Sequence, residues 1–150
     1  EVSKSFIAPC YNWDPLIEVV LKNHGVEWIQ GLRSQLIPTG TFDQYTSLRH
    51  TFGETNSLGI KYNIRNCMFE PSMNPHRDWV NSCLAQISSA FHWNKPAVIC
   101  AHRINFVGFI DEKNRDRGLQ DLDLLLTSIL KKWPEVHFIS TDELSQYINE

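Results

Sequence analysis

Residues 96–108 read Pro-Ala-Val-Ile-Cys-Ala-His-Arg-Ile-Asn-Phe-Val-Gly. The apolar residues 97–101 predict a buried strand, and the cluster His-Arg-x-Asn begins where that strand must leave its sheet. Parallel α/β folds place their reactive side chains at the carboxyl ends of strands. The stretch therefore predicts a parallel α/β protein with His102 at the functional edge of the sheet.

Four more strands are predicted around this one, at 5–8, 26–30, 60–69 and 136–139. Helices are predicted between them, and a capping box, Ser140-Thr141-Asp142-Glu143, opens a helix after the last strand. Strands that alternate with helices indicate right-handed βαβ units and a mostly parallel sheet. Five strands do not close an eight-stranded barrel, so the fold is either an open sheet or part of a barrel.

Helix starts are predicted from capping residues and from apolar periodicity. Asp14 and Pro15 open the first helix, and Asn74 and Pro75 open the second. A third helix follows a polar loop at 111–117. Its apolar stripe is Leu119, Leu122, Leu125, Leu126, Ile129 and Leu130.

The segment 31–59 differs from the rest of the chain because it is rich in Gly, Pro, Ser, Thr and Asn. It predicts a long irregular loop inside a single domain that spans 1–150. Loops of this length are uncommon in compact domains and are often functional.

The composition excludes several classes of protein. A chain of 150 residues with 42% hydrophobic residues is long and apolar enough to fold around a core. The net charge is −3 and the basic residues are scattered, which argues against nucleic acid as a partner. No apolar run reaches the roughly 18–20 residues that a membrane span needs. The compartment stays open.

The four cysteines, Cys10, Cys67, Cys83 and Cys100, are widely spaced and form no C-x-x-C pair. This spacing favours buried thiols over a disulfide framework and argues against a zinc site made of cysteines.

His102 is the first candidate for chemistry, because imidazole exchanges protons near neutral pH. Strand alternation places Val98, Cys100 and His102 on one face, and Ile99, Ala101 and Arg103 on the other. Asn105 follows as a further polar candidate. The alternative is structural: a strand-end His that caps a carbonyl, with Arg103 paired to an acid.

Arg65, Asn66 and Glu70 form a second cluster near the end of the third predicted strand. A carboxylate beside a guanidinium can orient a His or bind a sugar hydroxyl. The alternative is a structural ion pair.

Two further groups are candidates for substrate contact. His50, Glu54 and Asn56 belong to the long loop and can reach one ligand if that loop folds over the site; otherwise they are solvated. Tyr11 and Trp13 follow the first strand, where an aromatic platform for a sugar ring belongs; otherwise they pack at the entry of a helix.

Three of these stretches resemble motifs of one enzyme family. Residues 5–11, Ser-Phe-Ile-Ala-Pro-Cys-Tyr, resemble its third motif, Arg-x-Pro-aromatic. Residues 65–71, Arg-Asn-Cys-Met-Phe-Glu-Pro, lie where a further active-site strand is expected, and 99–102, Ile-Cys-Ala-His, resemble its last motif. Over nearly its whole length the chain resembles the C-terminal half of polysaccharide deacetylases of the NodB-homology type, in particular a bacterial branch.

This resemblance implies a distorted (β/α)7 barrel that removes acetyl groups from N-acetylated sugars. It implies a divalent metal, often zinc, held by an Asp and a His-x3-His pair that this chain lacks, so no metal ligand is expected here. His102 takes the role of general acid, with Arg65 and Glu70 beside it. The residues expected to bind the carbohydrate are Tyr11, Trp13, His50, Asn66, Arg103 and Asn105.

The chain departs from the family pattern at Ile7, which stands where the third motif has Arg. Arg65 and Arg103 are the candidates to replace it. A half-barrel must also cover its sheet edges, either with an N-terminal segment or by self-association.

Two other functions fit the same residues. One is a non-catalytic carbohydrate-binding or interaction module that uses Tyr11, Trp13 and Phe106. The other is a different barrel hydrolase that pairs Glu70 with Glu54 or Asp111.

Overall fold

The computed structural model describes residues 3–148, except the side chains of 145 and 146, and shows a mixed α/β protein. The chain divides into two compact units. The first, here called the amino-terminal unit, runs to Arg65 and also includes the residues from Ile139 onward. The second, the central unit, is Asn66–Phe138. The single domain predicted for 1–150 stays a prediction.

A parallel sheet forms the centre of the amino-terminal unit. Strands β1 (Ser5–Ile7), β2 (Trp28–Gly31) and β5 (Lys61–Ile64) lie in the order β1-β2-β5, and both strand pairs are parallel, as predicted. Their core includes Ile29 and Ile60, which are fully buried. Apolar side chains on both faces suit a parallel strand, because helices and loops cover such sheets.

Helix α1 (Ile17–Asn23) connects β1 to β2 and begins two residues later than predicted. The Asp14 carboxylate accepts a hydrogen bond from the backbone N–H of Leu16 at 2.9 Å, which makes a turn ahead of the helix. Gly25 has φ of +80° just beyond the helix, a left-handed conformation that glycine adopts without strain.

A β-hairpin lies inside the segment predicted to be irregular. Strands β3 (Ser34–Pro38) and β4 (Tyr45–Arg49) pair antiparallel along their whole length. The prediction of a loop over 31–59 is therefore wrong for these two strands. All five residues of β4 are exposed, so no hydrophobic alternation marks it as a strand.

The last helix, α4 (Thr141–Ile148), begins with the predicted capping box. The backbone N–H of Ser140 donates to Glu143 Oε2 at 2.6 Å, and the backbone N–H of Glu143 donates to Ser140 Oγ at 3.3 Å. The hydrogen bond from the Ser140 backbone lowers the pKa of the Glu143 carboxyl.

The central unit packs two helices against a short parallel pair of strands. Strands β6 (Cys67–Met68) and β7 (Ile99–Cys100) are parallel, and helices α2 (Trp79–His92) and α3 (Glu112–Lys132) cover them. The shared core is apolar and consists of Cys67, Phe69, Trp79, Val80, Cys83, Ile87, Leu125 and Ile129.

Both helices of the central unit start elsewhere than predicted. Helix α2 begins four residues after Pro75, because the Asp78 side chain accepts from the backbone N–H of Asn81 and acts as the N-cap. Helix α3 begins directly after Asp111, whose side chain accepts from the backbone N–H of Lys113. The predicted polar loop at 111–117 is therefore mostly the first two turns of α3.

Three further predictions need correction. The third predicted strand is divided into β5 and β6, and no strand is assigned at 136–139. Of the predicted stripe on α3, Leu125 and Ile129 are buried, whereas Leu119, Leu126 and Leu130 are exposed.

Among the helices described, none has the length and apolar character needed to cross a membrane.

All four cysteines lie in the described part of the chain and are present as thiols. Cys67, Cys83 and Cys100 are buried, as predicted, but Cys10 is exposed. Burial raises the pKa of the Cys67 thiol to about 12 and that of Cys83 to about 11.

Candidate active site

The central unit brings Glu70 and His102 into direct contact. Glu70 Oε1 lies 2.6 Å from His102 Nδ1. The Glu70 side chain is 1% exposed and the His102 side chain is 58% exposed, so a buried carboxylate meets an accessible imidazole. The bond joins residues 32 positions apart in the sequence.

The parallel pairing of β6 with β7 places both residues at one edge. The backbone N–H of Phe69 donates to the carbonyl of Cys100 at 2.9 Å, one step beyond the paired strands. Glu70 directly follows Phe69, and His102 lies two residues beyond Cys100. Because parallel strands end at the same edge of a sheet, side chains that leave these strands meet there.

Both oxygens of Glu70 accept hydrogen bonds. Oε2 accepts from Asn105 Nδ2 at 2.7 Å and from the backbone N–H of His102 at 3.4 Å. Cys100 Sγ lies 3.9 Å from Oε1. These contacts offset the cost of burying the carboxyl group and hold it at a fixed angle to the His102 ring.

Asn105 is fully buried and links three parts of the site. It lies on a short 3₁₀ helix, Arg103–Phe106, which directly follows His102. In addition to Glu70, its Nδ2 donates to the carbonyl of His102 at 2.8 Å, and its Oδ1 accepts from the backbone N–H of Ser72 at 2.9 Å. Asn105 therefore positions the carboxylate and the chain on both sides of it.

Gly118 on α3 makes the close approach of this 3₁₀ helix possible. A Cβ atom built at Gly118 would lie 1.9 Å from the carbonyl oxygen of Asn105, well inside van der Waals contact. Only a residue without a side chain fits there. The roles of Gly118 and Ser72 were not predicted, because no local sequence pattern marks either residue.

The arrangement is that of an oriented acid–base histidine. A carboxylate oxygen accepts, so Nδ1 of His102 donates to Glu70, and the ring presents Nε2 as its other nitrogen. A carboxylate behind a histidine fixes its tautomer and stabilises its protonated form. The exposed ring of His102 can therefore give a proton to, or take one from, a bound substrate.

Arg65 and Tyr11 contact each other in the amino-terminal unit. Arg65 Nη1 lies 3.4 Å from the Tyr11 hydroxyl, and the guanidinium lies 6.0 Å from the centre of the tyrosine ring. Glu70 and His102 belong to the central unit. The catalytic role of Arg65 and the sugar-binding role of Tyr11 stay predictions.

Asn66 and Arg103 differ in exposure. The half-buried Asn66 donates from Nδ2 to the carbonyl of Pro96 at 2.9 Å and accepts from the backbone N–H of Val98 at 2.7 Å. It therefore braces the segment that leads into β7, which favours a structural role. Arg103 is exposed beside His102 and remains a candidate for substrate contact.

Trp13 and His50 pack in the interior of the amino-terminal unit. Trp13 is 5% exposed and donates from Nε1 to Glu18 Oε1 at 3.0 Å. His50 is 3% exposed, stacks on Tyr62 with 3.7 Å between ring centres, and bonds through Nε2 to Gln35 Oε1 at 2.8 Å. This burial argues against direct contact of either side chain with a sugar.

The remaining loop candidates support this packing. Asn56 Nδ2 donates to Glu18 Oε2 at 2.7 Å. Glu54 Oε1 lies 3.6 Å from His50 Nδ1, and a hydrogen bond from the Thr51 backbone lowers the pKa of the Glu54 carboxyl. Asp111 caps α3. The structure therefore gives Glu54 and Asp111 local structural partners.

The His-x3-His pair of metal ligands that the resemblance implies is not in the sequence. Among the described residues a different group can hold a metal: one ligand atom each from Glu70, Cys100 and His102, all within 4.8 Å of one another. Cys100 was not among the predicted site residues. Its signal was the strand alternation that places it on the same face as His102.

Comparisons of the chain with protein-family models, with curated proteins and with solved structures found no match.

Proposed function

We propose that this chain is the acid–base part of a carbohydrate deacetylase, which hydrolyses N-acetyl groups of a sugar polymer. The observation that carries the proposal is the 2.6 Å hydrogen bond between buried Glu70 and exposed His102. Amide hydrolysis needs a proton for the departing amine, and a histidine held by a carboxylate supplies one near neutral pH. The resemblance of residues 99–102 to the last motif of the family supports the same role.

In this proposal His102 is the general acid and Glu70 is the residue that orients it. Asn105 acts through Glu70 and is a positioning residue. Arg103, exposed next to His102, is the candidate for contact with the polymer. These roles need only the side chains that the central unit brings together.

The proposal also assigns the chain to the C-terminal part of a distorted (β/α)7 barrel. The parallel order β1-β2-β5 and the parallel pair β6-β7 suit such a fold. A divalent metal would be held by residues outside this chain and would activate the attacking water. Without it, His102 supplies proton donation alone, which accounts for typically 10²- to 10⁴-fold in rate.

The first experiment measures acetate release from an N-acetylglucosamine oligomer by the 150-residue chain. We expect negligible activity with or without added Zn²⁺, because the water-activating ligands are missing. Robust metal-dependent release would contradict the assignment of the chain to the acid half.

The second experiment joins the chain to a segment that supplies the Asp and His-x3-His ligands and compares variants. We expect His102→Gln to lower kcat by about 10²- to 10⁴-fold with little change in KM. His137→Gln is the matched control, because His137 is also exposed but lies outside the site. Unchanged turnover in His102→Gln rejects the proposal, and a loss of affinity with no loss of turnover favours a non-catalytic binding module.

The outer strand β1 of the three-stranded sheet suggests a partner, whereas the outer side of β5 already bonds to residues 53–56. We expect either the N-terminal part of the barrel or a second copy of the chain to cover β1. Light scattering tests the second possibility, and a monodisperse monomer at high concentration rules it out.

A further inference from the structure

We propose that Glu70, Cys100 and His102 form a binding site for one thiophilic divalent cation, such as Zn²⁺ or Co²⁺. One ligand atom from each residue lies within 4.8 Å of the other two. Glu70 Oε1 contacts both His102 Nδ1 and Cys100 Sγ, so these three atoms are the ligands that we assign. This site is distinct from the metal that the family resemblance implies, because none of its three ligands belongs to an Asp and His-x3-His set.

The chemistry of the three donors selects the class of metal. Thiolate, imidazole and carboxylate together suit Zn²⁺ and Co²⁺, whereas Mg²⁺ and Ca²⁺ prefer oxygen donors alone. Three protein ligands leave a fourth tetrahedral position for water. The 58% exposure of the His102 side chain gives the cation and that water a route from solvent.

The present distances are those of hydrogen bonds between the three side chains rather than of metal coordination. Oε1 and Nδ1 are 2.6 Å apart and Sγ and Oε1 are 3.9 Å apart, whereas two ligands on one tetrahedral zinc are separated by about 3.3–3.6 Å. Glu70 and Cys100 are buried and fixed by the core, so the exposed His102 ring makes most of the adjustment. The cation replaces the Cys100 thiol proton and the proton between Nδ1 and Oε1, and both protons leave to solvent.

The carboxylate is already held as a metal ligand requires. Oε2 of Glu70 accepts from Asn105 Nδ2 at 2.7 Å, so Oε1 is the oxygen that remains for the cation. Hydrogen bonds of this kind orient metal ligands and raise affinity. The bound cation and the hydrogen bond between Glu70 and His102 exclude each other, so metal binding removes the contact that orients the histidine.

The test is a Co²⁺ titration of the metal-free chain, followed by absorbance. The exposed thiol of Cys10 is first removed by Cys10→Ser, so that it cannot bind the probe. We expect one equivalent of Co²⁺ to give a thiolate-to-cobalt charge-transfer band and the visible bands of a tetrahedral ion. Excess Zn²⁺ should abolish both.

In the Cys10→Ser background, Cys100→Ser and His102→Gln should each remove the bands. Cys83→Ser changes a buried thiol elsewhere in the core and should retain them. His102→Gln alters an exposed side chain, so it keeps the test valid if Cys100→Ser does not fold; circular dichroism checks the fold. Absence of the bands, or their survival in His102→Gln, overturns the proposal. The titration needs no substrate and no second segment, so its failure is separate from a failure to release acetate.

Discussion

Glu70 and His102 form a hydrogen-bonded pair whose members differ in burial and therefore in role. Glu70 is fixed inside the central unit by Asn105, and His102 reaches solvent. A histidine alone on a strand end would sample several rotamers and both neutral tautomers. The buried carboxylate favours the arrangement in which Nδ1 faces Glu70, so the buried residue sets the orientation of the exposed ring.

Glu70→Gln should destabilise the protein although it preserves the size of the side chain. One carboxylate oxygen becomes an NH2 group that faces N–H donors of His102 or Asn105, so at least one buried donor loses its acceptor. We expect a loss of about 1–3 kcal/mol in the free energy of unfolding, measured by urea denaturation. Exposed Glu135 provides the control, and its change to Gln should shift stability by less than about 0.5 kcal/mol. Equal effects of the two changes would contradict this account.

At the scale of elements, two helix features support the site. Helix α3 carries Gly118 against the 3₁₀ helix that holds Asn105, and helix α2 is capped by Asp78. Asp78 sets where α2 begins, and Gly118 lets α3 approach the 3₁₀ helix closely.

Gly118→Ala tests the close approach. In an exposed helix this change stabilises by about 1 kcal/mol, because glycine is a poor helix former. Here the new Cβ meets the Asn105 carbonyl at 1.9 Å, so we expect the opposite sign and a loss of about 1–3 kcal/mol. Thermal and urea denaturation measure it, with Gln120→Ala on an exposed position of α3 as the control. A stabilised Gly118→Ala variant would show that α3 does not pack as described.

Asp78→Ala tests the N-cap of α2 through pH. Hydrogen bonds from Asn81, first from its backbone, lower the pKa of Asp78, so the stabilisation is present above the unfolded pKa of about 3.9 and is lost as pH falls through the folded value. We expect Asp78→Ala to lower the urea midpoint at about pH 7 and to lower it progressively less as the pH falls below about 3.9. Exposed Asp123 on α3 gives the control variant, Asp123→Ala. A pH-independent loss would mean that the cap acts without its charge.

At the scale of the whole molecule, each unit has its own core. The amino-terminal unit packs Ile29, Ile60 and Tyr62 around a polar group centred on Glu18, while the central unit packs α2 and α3 on β6 and β7. The candidate site belongs entirely to the central unit. The long segment 31–59 supplies a hairpin and packing residues to the amino-terminal unit.

Thiol reactivity reports this burial. At about pH 8 we expect one thiol, exposed Cys10, to react rapidly with Ellman's reagent, and the buried thiols to react only after unfolding. Cys10→Ser should abolish the rapid phase, and Cys83→Ser should leave it unchanged. More than one rapid thiol in the native protein would contradict the described cores.

Burial raises the pKa of Cys67 to about 12 and that of Cys83 to about 11. The stabilising effect of these two buried thiols is therefore complete below the unfolded pKa of about 8.5 and is lost as pH rises through the folded pKa values.

Much of the sheet was predictable because apolar runs mark strands that are covered on both faces. Strands β1 and β7 lie within predicted strands, and β2 overlaps the strand predicted at 26–30 but ends one residue later. The hairpin was not predictable in this way, since β4 is exposed throughout and its pairing is with β3 alone. The apolar residues at 136–139 suggested a strand, but Phe138 is 57% exposed and no neighbouring strand pairs with it among the described residues.

The sequence by itself predicted that Cys100 and His102 point to the same side of the chain, because side chains alternate along an extended segment. It also determined the capping box of α4, whose hydrogen bonds span three residues. Only the tertiary structure decided that Glu70 pairs with His102, since the parallel register of β6 and β7 brings together residues 32 positions apart. Local patterns fix what a few neighbouring residues can do, whereas the partner of a buried charge depends on which strands pair.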